Sequence, residues 1–151
     1  MTMLKGLDPR LNADVLYCLR AMGHGDTLAI VDTNFPAESV ARQTVHGALL
    51  RMENLTTAQV LEIVLTLYPL DPMGDGAAAR MAPVDDPDHL PPAQAELQPV
   101  IDAAEGTGFP MAAVERFAFY DRARACFAII QSGDARPYGN VILRKGIVTA
   151  P

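Results

Sequence analysis

At 151 residues, half of them apolar and a fifth charged, the chain has the size and mix of one soluble globular domain with its own core. A formal net charge of −6 and 12 scattered Lys and Arg residues, with no basic run, speak against a nucleic-acid partner. No apolar run is long enough to span a bilayer, and the first ten residues hold Gly, Asp and Pro without an apolar stretch of the secretory kind, so a cytoplasmic protein without membrane contact is expected.

In chain order, Asp8-Pro9 reads as a helix start, with Leu11, Val15, Cys18, Leu19 and Met22 at helical spacing and Gly23 as the stop. Residues 27–32 form a short apolar run ending in Asp32, the pattern of a buried strand in a parallel sheet. Asn34-Phe35-Pro36 breaks it. A further strand is expected around residues 48–50. Thr56 or Thr57 can cap a second helix whose apolar face is Val60, Leu61, Val64, Leu65 and Tyr68, with Pro69 and Pro72 ending it. Residues 71–79 read as a Gly-rich loop, 82–84 as a strand, 85–92 as an Asp/Pro-rich loop and 91–105 as a third helix closed by Gly106 and Gly108. A strand over 114–117, a short helix over 119–125, a strand over 127–131, a turn over 132–134 and a final strand over 140–143 complete the pattern. Helices alternate with short buried strands, so an α/β layered fold in one domain, residues 1–151, is predicted.

Cys18 and Cys126 sit in apolar stretches and read as two buried thiols rather than a disulfide. They have no metal spacing, and His24, His46 and His89 are far apart, so no metal site is expected. Neither a dinucleotide loop nor a phosphate-binding loop nor a nucleophile elbow is present.

Four places can carry chemistry. His24 lies between Gly23 and Gly25, with Asp26 next; the glycines permit close ligand approach and imidazole suits proton exchange near neutrality. It reads equally well as a turn histidine bonded to a carbonyl. Asp32, at the carboxyl end of a buried strand, stands where α/β sheets bind ligands, and is also a candidate turn cap. Tyr138-Gly139-Asn140 offers donors, acceptors, a flat apolar face and access for a polyol, or an ordinary turn into the last strand. Arg116, beside Phe117 and Phe119, can reach a ligand oxygen or pair with Glu115 or Asp121.

Three blocks in order resemble one family. Met22-Gly23-His24-Gly25-Asp26 with the strand ending at Asp32 and Asn34-Phe35-Pro36, then residues 116–123, then Tyr138-Gly139-Asn140 with Leu143-Arg144-Lys145-Gly146, look like the L-fucose mutarotase and D-ribose pyranase family. Residues 116–120 and the Gly between Tyr138 and Asn140 are similar to the fucose branch. The resemblance implies a three-layer α/β/α fold with a mixed, mostly parallel sheet, and a ring-shaped decamer with sites near subunit boundaries. It also implies a monosaccharide partner and no cofactor. It implies His24 as proton donor and Asp32, Arg116, Tyr138 and Asn140 as sugar contacts, with Gly139 shaping the loop. One departure is His46-Gly47, where the family often carries Asp before Gly; another is the Pro- and Asp-rich segment 71–92. The function implied is anomer interconversion of a free sugar, L-fucose or, in the other branch, D-ribose. The alternative is a non-catalytic monosaccharide-binding protein of transport or sensing.

Overall fold

A computed structural model describes residues 3–151. Its elements are α1 (Ala13–Ala21), β1 (Thr27–Val31), α2 (Ala37–Ala41), β2 (Leu50–Met52), α3 (Thr57–Leu65), β3 (Ala78–Met81), α4 (Pro92–Ala95), α5 (Leu97–Glu105), β4 (Ala112–Val114), α6 (Arg116–Arg124), β5 (Ala128–Ser132) and β6 (Val141–Arg144). The six strands form one sheet in the order β2-β5-β1-β6-β3-β4. β1 is parallel to β5, β5 to β2 and β3 to β4, while β6 runs antiparallel to both its neighbours, β1 and β3. Length explains this exception. Residues 133–140 between β5 and β6 are too few for the crossover that a parallel return needs, so the chain comes back in the opposite direction.

Alternation along the strands builds two cores. Leu28, Ile30, Ala128, Ile130, Val141 and Leu143 pack with α1, α3 and α5 on one face. Ala29, Val31, Ile129 and Ile142 pack with Phe35, Val40 and Phe119 of the α2/α6 side on the other. The sheet therefore lies between two helical layers, the mixed α/β/α arrangement expected. No helix of the described residues is long and apolar enough to cross a membrane. Cys18 and Cys126 are buried free thiols in the two separate cores, and burial pushes both up to about 11.

Local differences from the sequence expectations have physical causes. The first helix starts at Ala13 because the Asn12 side chain caps it by accepting from Val15 N–H; Asp8 instead closes a turn and binds Arg10. α3 is capped by Thr56 with Gln59 in a reciprocal capping box. It ends at Leu65, one turn before Pro69, as Thr66 Oγ1 binds the Ile63 carbonyl. The strand expected over 82–84 lies earlier, at Ala78–Met81, since small Ala side chains can pack on a crowded central sheet that Pro83 would interrupt. The third helix is two, α4 and α5, and a short helix α2 follows Pro36. The strand expected over 114–117 ends at Val114, because Glu115 caps α6 by accepting from the Phe117 and Ala118 N–H groups. Arg116 and Phe117 are thus helical.

Candidate functional site

At the carboxyl ends of β1 and β5, beside the start of β6, a buried polar cluster shapes the loop 138–140. Asp32 is 2% exposed. Its Oδ1 accepts from the Asn34 and Phe35 N–H groups and its Oδ2 from Gly139 N–H at 3.0 Å. Burial pushes its carboxyl up, opposed by those three donors. Asn140, also buried, accepts from Asp32 N–H at 2.9 Å. Thr57 Oγ1 donates to the Gly139 carbonyl, and a Cβ on Gly139 would stand 3.2 Å from Thr57 Oγ1, a tight contact that glycine avoids. Asp32 and Asn140 thus act first on the backbone, as the turn reading of each anticipates. What they present outward is Tyr138, half-buried and at φ 61.

Arg116 stands exposed on α6 near Tyr138. It pairs with neither Glu115, which caps the helix, nor Asp121, which binds Arg124. Its Nε donates to Tyr120 Oη at 3.0 Å, and its guanidinium lies 5.5 Å from that ring's centre and 5.4 Å from Phe117's. Tyr120 was not singled out from the sequence. It sits one helical turn beyond Arg116, so reading 114–117 as a strand hid the pair.

His24 lies at the opposite end of β1. Gly25 takes φ 88 and donates its N–H to the Lys145 carbonyl, while Asp26 accepts from Gly23 N–H. Only the second glycine needs the left-handed region. The imidazole is 43% exposed, with Nε2 3.2 Å from Asp71 Oδ1, and Arg144 Nε donates to Asp71 Oδ2 at 3.0 Å. The Met73 N–H, then Arg144 and His24, hold the Asp71 carboxyl down at about 2 against the effect of burial. An Nε2–H donated to Asp71 leaves Nδ1 with a lone pair and no protein partner among the described residues. Asp71 is the second residue sequence reasoning missed; its signal was a carboxylate between Leu70, which bridges to Lys145, and Pro72. His46 lies at this end too: its N–H binds the Phe127 carbonyl, and its ring centre is 6.1 Å from that of Tyr17.

The structure brings Asp32, Arg116, Tyr138, Gly139 and Asn140 to one end of the sheet and sets His24 at the other, with β1, roughly 13 Å of strand, between them. A cavity of about 560 Å³ between α3 and α5 contains none of these residues; its wall is mostly aliphatic, with Glu62 and Thr66 the polar side chains, a poor match to a polyol.

The sequence profile of the RbsD / FucU transport protein family matches residues 5–148. The chain is 40% identical to the fucose mutarotase of Homo sapiens over 152 residues, covering 98% of this chain and 96% of that one. Among solved structures it is similar to FucU from Bifidobacterium longum, with a TM-score of 0.86, 34% identity and coverage of 96% of this chain and 100% of that one. It is also similar to the fucose mutarotase from Streptococcus pneumoniae in complex with L-fucose, with a TM-score of 0.84, 30% identity and coverage of 97% and 100%. With profile, identity and fold agreeing over nearly all of its length, the chain belongs to the RbsD / FucU family, on its fucose mutarotase side.

Proposed function

We propose that the chain is a sugar mutarotase that interconverts the α and β anomers of a free monosaccharide, L-fucose. The observation that carries this reading is the His24–Asp71 pair: a solvent-facing imidazole aligned by a buried carboxylate, with one ring nitrogen free to exchange a proton. Ring opening needs a proton delivered to the ring oxygen and one removed from the anomeric hydroxyl. The ring C–O bond breaks, the aldehyde forms, and reclosure on its other face gives the second anomer. His24, carrying a proton on Nδ1 as well as the Nε2–H held by Asp71, is the donor to the ring oxygen, and its Nδ1 takes a proton back when the ring recloses. In this reading Tyr120, whose hydroxyl accepts from Arg116, takes the anomeric proton as it passes its own phenolic proton to water, and Arg116 holds sugar oxygens. Tyr138 and the turn built by Asp32, Gly139 and Asn140 supply a flat face and polar groups for the ring. The step uses no metal, nucleotide or covalent intermediate.

The two groups lie at opposite ends of one sheet, so a complete site takes His24 from one copy and the Arg116–Tyr138 end from another. This supports a homo-oligomer, the ring-shaped decamer that the family resemblance implies, with residues 1–151 as one mutarotase domain acting in the cytoplasm. Saturation-transfer NMR of L-fucose tests the reading. Micromolar protein should accelerate α/β exchange, and His24→Ala should lower that acceleration by roughly 10²–10⁴-fold. Unchanged exchange for L-fucose and D-ribose with the wild-type protein, together with calorimetric binding of either sugar, would instead favour a monosaccharide-binding protein.

A further inference from the structure

Arg80, on β3, is 7% exposed, yet no carboxylate lies within ion-pair distance of it among the described residues. A buried guanidinium is costly unless its N–H groups meet acceptors. Here they meet backbone oxygens and one amide. Nη2 donates to the Pro87 carbonyl at 2.8 Å, while Nη1 donates to the Gln94 Oε1 at 3.0 Å and to the His89 carbonyl. Gln94, on α4, is fully buried. Its Nε2 donates to the Met81 carbonyl and to the Tyr138 carbonyl, the latter at 2.9 Å. Tyr138 in turn accepts from Val84 N–H on its phenolic oxygen at 3.3 Å.

These bonds close a circuit: Arg80 to the 85–90 loop, the stretch leading into that loop to the Tyr138 hydroxyl, the Tyr138 carbonyl to Gln94, and Gln94 back to Arg80. The circuit encloses the one non-glycine residue with positive φ among the described residues. Such a backbone persists only where its surroundings hold it, and such sites concentrate where ligands bind. Residues 84–90 are exposed and rich in Asp and Pro, without helix or strand of their own.

We propose that Arg80 and Gln94 are positioning residues that hold Tyr138 and the 82–90 segment together as one rigid lip over the sugar, and so set how tightly this site takes its substrate. The proposal rests on Tyr138 contacting sugar, as in the mutarotase reading. Neither residue touches the reacting atoms, so substrate capture changes and the chemical step does not.

The test is steady-state α/β exchange of L-fucose by NMR for Arg80→Met, Gln94→Leu and Gln94→Glu. Each should raise KM at least fivefold and leave kcat within twofold. Gln94→Glu is the discriminating variant. It keeps an acceptor for Arg80 but has no N–H for the Tyr138 carbonyl. A wild-type KM in folded Gln94→Glu, or equal losses in kcat and kcat/KM across all three, overturns the proposal. If the variants do not fold, hydrogen–deuterium exchange on the wild-type protein decides. L-fucose should protect segment 82–90, and an unchanged exchange rate there overturns the clamp. A wild-type protein without exchange activity sinks the mutarotase reading instead, so the two failures are distinguishable.

Discussion

Asp71 gathers groups that the chain keeps far apart: His24 from the turn before β1, Arg144 from the end of β6 and the Met73 N–H from its own loop. Its carboxylate aligns the imidazole that the mutarotase reading uses as proton donor. Asp71→Asn should therefore lower exchange by about tenfold or more, a share of the roughly 10²–10⁴-fold an acid–base group supplies. It also carries a pH signature. The folded carboxyl lies at about 2, below its ordinary 3.8, so its contribution to stability is complete above 3.8 and is lost as pH falls through about 2. Melting temperature recorded from pH 5 to pH 2 should fall for the wild-type protein, and Asp71→Asn should remove part of that fall. An identical slope in both proteins would show that this pair does not couple to folding.

At the scale of elements, Asp32 is the joint between β1, the loop after it and the turn into β6. Asp32→Ala leaves three N–H groups without their acceptor, two of them deeply placed. Unfolding in urea should show a loss of about 3 kcal/mol, from roughly 1–3 kcal/mol per stranded buried donor. Chain order, the short buried strands and the layered class were legible in the sequence because period and punctuation are local signals. So were the glycine-flanked turn that carries His24 and the turn at Tyr138 that leads into β6. Asp71 and Tyr120 were not: the first acts through partners at distances of 47 and 73 residues, and the second depends on Arg116 being helical rather than extended. The position of β3 was obscured in the same way, since Ala77-Ala78-Ala79 carries no β-branched or aromatic side chain and its strand character comes from pairing with β6 and β4. The expected strand at 114–117 failed because Glu115 offered the backbone a helix cap, a competition that propensity alone does not resolve.

For the whole molecule, the separation of His24 from Arg116 makes a genetic style of test available. Each of His24→Ala and Arg116→Ala should be nearly inactive alone. Mixed by refolding together, they should recover about one quarter of wild-type activity, since random pairing puts an intact His24 opposite an intact Arg116 in that fraction of contacts. No recovery in a demonstrably mixed oligomer would place both residues in one subunit's site and contradict the two-copy arrangement. One consequence lies in time rather than space. β6 is the last of the six strands to be synthesised, yet it sits in the middle of the sheet, between β1 and β3. Until it arrives, the nascent chain can hold only two separate fragments, β2-β5-β1 and β3-β4, each with an open edge. The Tyr138 turn enters this strand and Arg144 ends it, so both ends of the proposed site are completed at the same late moment. Until then the two open edges are the stage of synthesis most exposed to aggregation.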